Sequence, residues 1–127
     1  MKNTLALPVR RGPSHASTNS ISVGANLDVS SARRFARTVS RLASRRPSHV
    51  VVDLSRMQTF DSSGFGSLIS GLKKLADVGA VPIVVCSHSS FRKLMDFAGV
   101  TRMFTIVKTM SEARRAAADL TADALAS

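Results

Sequence analysis

The chain contains one cysteine, Cys86, so no internal disulfide can form. A lone thiol suits a reducing compartment. At the end of the apolar run Val81-Pro82-Ile83-Val84-Val85-Cys86 it reads as a buried, inert group. No stretch of eighteen apolar residues occurs, which excludes a hydrophobic membrane-spanning helix. Leu5-Ala6-Leu7 is cut off by Pro8 and two arginines, too short for a signal-peptide core. A cytoplasmic protein is expected. His15, His49 and His88 have no partner at metal-site spacing and read as loop or surface residues. Both a Gly-Lys-Ser/Thr phosphate loop and a Gly-x-Ser-x-Gly elbow are absent. Asp61 adjoins Ser62, but a carboxylate is a poor base for a serine hydroxyl, and no histidine is tied to the pair by sequence. No catalysis, metal or cofactor is expected.

Acid is scarce in one part of the chain. Residues 1–46 hold nine Lys/Arg against the single acid Asp28, whereas residues 47–127 hold nine against seven, so the net charge of +10 is concentrated early. The spacing predicts a helix from about Ala32 to Arg45, capped by Ser30 or Ser31. Its apolar stripe is Ala32, Phe35, Ala36, Val39, Leu42 and Ala43. Arg33, Arg37, Arg41 and Arg45 recur at every fourth position, with Arg34 and Arg46 nearby. Like charges so placed cost a few tenths of a kcal/mol per pair. Either this is a solvated helix face or it meets nucleic acid or anionic lipid. No aromatic interleaves with the arginines, so a stacking platform for single strands is lacking, and no other base-reading code is present.

What remains supports one domain with a real core: 127 residues, 44% hydrophobic. Residues 1–20, with Pro8, Gly12, Pro13 and many Ser, Thr and Asn, read as a tail or edge strand, with Thr4-Leu5-Ala6-Leu7 the candidate strand. Residues 21–127 read as the domain. Strands are predicted at Ile21-Ser22-Val23, His49 to Leu54, Val81 to Cys86 and Met103 to Val107. Helices fall between them, with an alanine-rich one opening at Ser111-Glu112. Gly79 and Gly99 are placed to stop two of these helices. Such alternation argues α/β with a largely parallel sheet.

The informative stretch is Asp61-Ser62-Ser63-Gly64-Phe65-Gly66, between a β-branched run and a helical stripe of Phe65, Leu68, Ile69, Leu72, Leu75 and Ala76. Taken locally, an acid and hydroxyls before a helix are N-caps, worth about 1 kcal/mol. In its wider setting the string VVVDLSRMQTFDSSGFGSLISGLKKLADVGAVPIVVCSHSSFRKLMDFAGVTRMF resembles the STAS domain of anti-sigma factor antagonists. The shared pattern is a strand ending in Asp-Leu, an Asp-Ser-Ser/Thr-Gly turn opening a helix, a Gly-containing connection and a second strand. Gly24-Ala25-Asn26-Leu27-Asp28 resembles the family's Gly-x-Leu-Asp element with one extra residue before Leu27.

That resemblance implies a single STAS-like domain, a small mixed sheet with helices mainly on one face. It implies an anti-sigma factor antagonist, a binding module whose partner is an ATP-dependent anti-sigma kinase, with a phosphatase resetting the cycle. Ser62, immediately after the motif acid, is the implied phosphoacceptor. Asp28, Asp61, Ser63, Gly64 and Phe65 join it as the implied partner surface, with Ser63 a cap and Gly64 a close-approach position. The basicity keeps two alternatives open: a STAS subunit of a membrane lipid-transport ATPase complex, where a basic helix lies near anionic lipid, and a basic nucleic-acid-binding protein.

Overall fold

The computed structural model describes residues 9–11 and 18–126, with side chains described for residues 19–120. In chain order these form β1 (Val9–Arg11), β2 (Thr18–Ser22), β3 (Asn26–Leu27), α1 (Val29–Ser44), β4 (His49–Asp53), β5 (Thr59–Phe60), α2 (Ser62–Asp77), β6 (Val81–Val85), α3 (Ser89–Phe97), α4 (Val100–Met103), β7 (Thr105–Val107) and α5 (Met110–Ala126). The sheet runs β1-β2-β4-β6-β7, with β1 antiparallel to β2 and every other pair parallel. The short strands β3 and β5 pair separately, in parallel. The candidate edge strand at Thr4 to Leu7 lies outside the described residues.

The valine run makes β4 the middle of the sheet because both of its faces must be covered. Val50 and Val52 point into the larger core beside Phe35, Val39, Leu68, Leu72 and Leu75, which α1 and α2 supply. Val51 points the other way, with Ile83 and Val85, onto Ala113 and Ala117 of α5. Strand periodicity thus divides one run of valines between two cores. Helices α1 and α2 cover one face, and the alanine-rich α5 closes the other. No described helix is long and apolar enough to cross a membrane.

Several boundaries differ from the sequence reading. Helix α1 starts at Val29, with Asp28 rather than Ser30 or Ser31 as its N-cap. The first strand of the domain proper is Thr18–Ser22 and stops before Val23. Met103 ends a four-residue helix, and the last strand begins only at Thr105. Helix α5 begins at Met110; the Thr109 hydroxyl accepts from the Glu112 N–H, and the Glu112 carboxylate accepts from the Thr109 N–H at 3.3 Å. His49 is buried in β4, its Nδ1 3.0 Å from the Ser48 hydroxyl, and is neither a loop nor a surface residue. Ala36 and Ala76, placed on inner stripes, are exposed. Gly79 and Gly99 follow helix ends in left-handed conformations (φ 89° and 80°), where a side chain would be strained.

Candidate functional site

Two helices begin side by side. The β3–β5 pair sets Leu27 opposite Phe60 and Asn26 opposite Thr59, and the Asn26 and Thr59 side chains are hydrogen-bonded. The next residue on each strand is an aspartate. Asp28 accepts from the Ser31 N–H at 3.1 Å, while the Ser31 hydroxyl accepts from the Asp28 N–H at 3.0 Å and donates to the Asn26 carbonyl at 2.7 Å. Asp61 accepts from the Gly64 N–H at 2.7 Å, and its own N–H donates to the Leu27 carbonyl at 3.2 Å. These bonds bring Asp28 and Asp61 to one edge. They also set the positive ends of two helix dipoles abreast.

Ser62 and Ser63 are the first two residues of α2, and both are exposed. Asp61, not Ser63, provides the cap, so neither hydroxyl is engaged by a described residue. Of the four N–H groups a helix start leaves unpaired, Asp61 donates to Leu27 and Gly64 donates to Asp61. Those of Ser62 and Ser63 have no partner among the described residues. Such open donors at a helix N-terminus favour an anion. Gly64 is buried: a β-carbon there would overlap the Leu27 carbonyl oxygen and stand 2.6 Å from the carbonyl carbon. Phe65 turns inward, half-buried, with its ring edge-on to Phe91 at 5.4 Å. All six expected partner-surface residues therefore gather at one edge, with Ser62 and Ser63 outermost and Gly64 and Phe65 beneath.

Sequence reasoning missed the brace behind this turn. His88 caps α3: its Nδ1 accepts from the Phe91 N–H at 3.3 Å. That bond leaves Nε2 as the protonated nitrogen, 3.1 Å from the Gln58 carbonyl, to which it donates. Phe60 stands edge-on to both His88 and Phe91, with ring centroids 5.7 and 4.7 Å apart. The segment leading into Asp61 is thus held from the side by a residue thirty positions away. Beneath it, Cys86 is buried and free. Burial pushes its thiol above the ordinary range, against smaller opposite pulls from a backbone hydrogen bond at His88 and from the Arg92 charge.

From the serine turn a groove of about 640 Å³ runs between α1 and α2, lined by Ala36, Ser40, Ser62, Ser63, Ser70 and Lys74 among others. Lys74 Nζ donates to the Ser40 hydroxyl at 2.9 Å, joining the helices at that level. Among the described residues no group of three His, Cys, Asp or Glu is placed to hold a metal ion.

A mixed five-stranded sheet, adjacent helix starts at one edge and an exposed serine pair on a capped turn define a small α/β module. The STAS domain profile matches residues 14–113, and the chain belongs to that family. No curated protein matches it in sequence. Among solved structures, an anti-sigma-factor antagonist (STAS) domain protein from Planctomyces limnophilus superposes with a TM-score of 0.72 at 19% identity, covering 89% of this chain and 98% of the other. An anti-sigma factor antagonist from Mycobacterium paratuberculosis gives 0.67 at 19%, covering 91% and 97%. The Bacillus cell fate determinant SpoIIAA in its phosphorylated form gives 0.66 at 17%, covering 86% and 99%. At such identities the likeness establishes the fold.

Proposed function

We infer that the protein is an anti-sigma factor antagonist, a cytoplasmic binding module that holds an anti-sigma kinase and is released when Ser62 is phosphorylated. The observation that carries this reading is the placement of Ser62, exposed at the first position of α2, beside two backbone N–H groups with no described partner. A kinase reaches such a hydroxyl without unfolding anything. Asp61 holds the helix start that presents Ser62, since its carboxylate is committed to the Gly64 N–H. Asp28 does the same for the neighbouring helix.

Phosphorylation adds about 1.5 to 2 negative charges at neutral pH. Covered by a partner built for a neutral hydroxyl, that charge loses hydration and meets unmatched groups. A penalty like that of unpairing a buried charge, about 2–5 kcal/mol, weakens binding roughly thirty-fold to a few thousand-fold. A phosphatase is then needed to restore docking. The kinase and phosphatase are the chemistry that this site asks for, and the protein itself transfers nothing.

The test is incubation with ATP and candidate anti-sigma kinases, followed by mass mapping of the phosphate. Label is expected on Ser62, and Ser62→Ala should lose it while still binding the kinase. Phosphate on Ser63 alone, or binding unchanged by Ser62→Asp, would refute the assignment.

A further inference from the structure

Helix α1 carries no acid, and its residues Val29, Arg33, Arg37 and Arg41 recur at four-residue intervals, continued by Arg45 just past the helix end, each turned about 40° on from the last so that the ridge winds across the exposed side. All five are exposed, Val29 to 50%. At 1.5 Å per residue the ridge extends about 24 Å. Its apolar head is adjacent to the serine turn, because Asp61 donates to Leu27 two residues before Val29. The α1–α2 groove opens beside the Val29 end of the ridge, where Ala36 and Gly66 leave room beside the backbone, and Lys74 adds a further cation.

We propose that this ridge and groove form a docking face for an acidic segment of a protein partner, one that covers the serine turn at the Val29 end and lays its carboxylates along the arginines. The proposal rests on the reading of the serine turn as a partner site and gives that partner a charge. Complementary charge along such a face speeds encounter and fixes register. A polypeptide fits better than the other polyanions. A rigid duplex would meet the ridge and leave the groove empty, and no aromatic is present on α1's exposed face to stack on bases. A bilayer calls for inserted apolar side chains, but among the described residues the large exposed ones besides Val29 are Phe97 and Met103, on α3 and α4.

The test needs no kinase, so its failure is separable from failure of the Ser62 assignment. The isotope-labelled full chain is titrated with a ten-residue glutamate peptide, a 20-base-pair duplex and phosphatidylserine vesicles, at one low ionic strength. The peptide is expected to shift amides of residues 29–45 and 62–74 and to bind most tightly of the three. The triple variant Arg33→Gln, Arg37→Gln, Arg41→Gln should weaken it about tenfold, for three exposed ion pairs of ordinary strength. Arg114→Gln with Arg115→Gln, which removes exposed charge from α5, should leave it within twofold. Equal losses from both variants would mean net charge alone and would overturn the proposal. So would amide shifts confined to other elements, or tighter binding by duplex or vesicles.

Discussion

Replacing Gly64 by alanine puts a β-carbon against the backbone of β3, overlapping the Leu27 carbonyl oxygen, 2.6 Å from its carbon and 2.9 Å from Leu27 Cγ. Backbone cannot swing aside as a side-chain tip can, so α2 must back away from β3. Overpacking of this kind costs about 1–3 kcal/mol, and a main-chain obstacle argues for the upper end. The displacement also stretches the bond from the Asp61 N–H to Leu27, worth about 1 kcal/mol. Alanine returns about 1 kcal/mol over glycine in a helix. The net expectation is a loss of about 3 kcal/mol. Two residues on, Gly66 has no atom within 4 Å of its would-be β-carbon. There the propensity gain stands alone, and Gly66→Ala should stabilise by about 1 kcal/mol. Gly71 falls between them. Its β-carbon would overlap the edge of the buried Phe35 ring, with Cδ2 and Cζ each at 3.2 Å, for a net loss of about 1 kcal/mol.

Three glycines in one helix therefore have three different fates under one substitution. Urea unfolding followed by far-UV circular dichroism separates them. With a slope of about 2 kcal/mol per molar, the midpoint should fall by about 1.5 M for Gly64→Ala and rise by about 0.5 M for Gly66→Ala. A Gly64→Ala midpoint at or above that of the parent, with the slope unchanged, would refute the close approach of α2 to β3. The placing of Ser62 beside the start of α1 would be refuted with it.

The remaining predictions are narrower. Asp28→Ala removes the α1 N-cap and its reciprocal bond with Ser31, and should lower stability by about 1 kcal/mol, a few degrees in melting temperature for a chain of this size. Cys86 should resist a thiol reagent in the native state and react stoichiometrically once unfolded, since the side chain is buried. Its linkage has a definite sign. The folded thiol keeps its proton above the pH where the unfolded one, with a pKa of about 8.5, loses it. Stability must then fall as pH rises from that unfolded value toward the raised folded one, and Cys86→Ser should flatten that part of the curve.

The strands of the core were readable because β4 and β6 are apolar runs between Pro, Gly and Ser, and Gly79 and Gly99 stop helices where they stand in the sequence. Helix starts were less so. Ser30, Ser31 and Asp28 are all competent caps, and the choice depends on where the chain leaves β3, which pairing with β5 more than thirty residues later decides. The Ser31 hydroxyl does take part, as the reciprocal partner of the Asp28 cap. His49 was misread for a related reason. A polar side chain suggests a surface, but β4 lies between β2 and β6, and only Asp53 of its five residues escapes full burial. At the site, the order Asp61-Ser62-Ser63-Gly64 carried its own signal. Its support did not: the bond from His88 to Gln58 and the ring contacts of Phe60 join distant segments through chemistry with no local pattern.

On the proposed reading, these same local bonds decide what a phosphate would disturb. Asp61 and Leu27 already satisfy two polar groups of the α2 start, which leaves the N–H groups of Ser62 and Ser63 for an added anion. An anion in that position is worth about 0.3–1 kcal/mol to the helix, offset in part by the Asp61 carboxylate next to it. The effect on folding is therefore small. The effect on a partner covering the turn is about 2–5 kcal/mol and of the opposite sign. Modification thus acts on docking several times more strongly than on stability. The phosphorylated chain should melt within a degree or two of the parent while losing its partner. A large drop in melting temperature on phosphorylation would mean instead that Ser62 supports the fold.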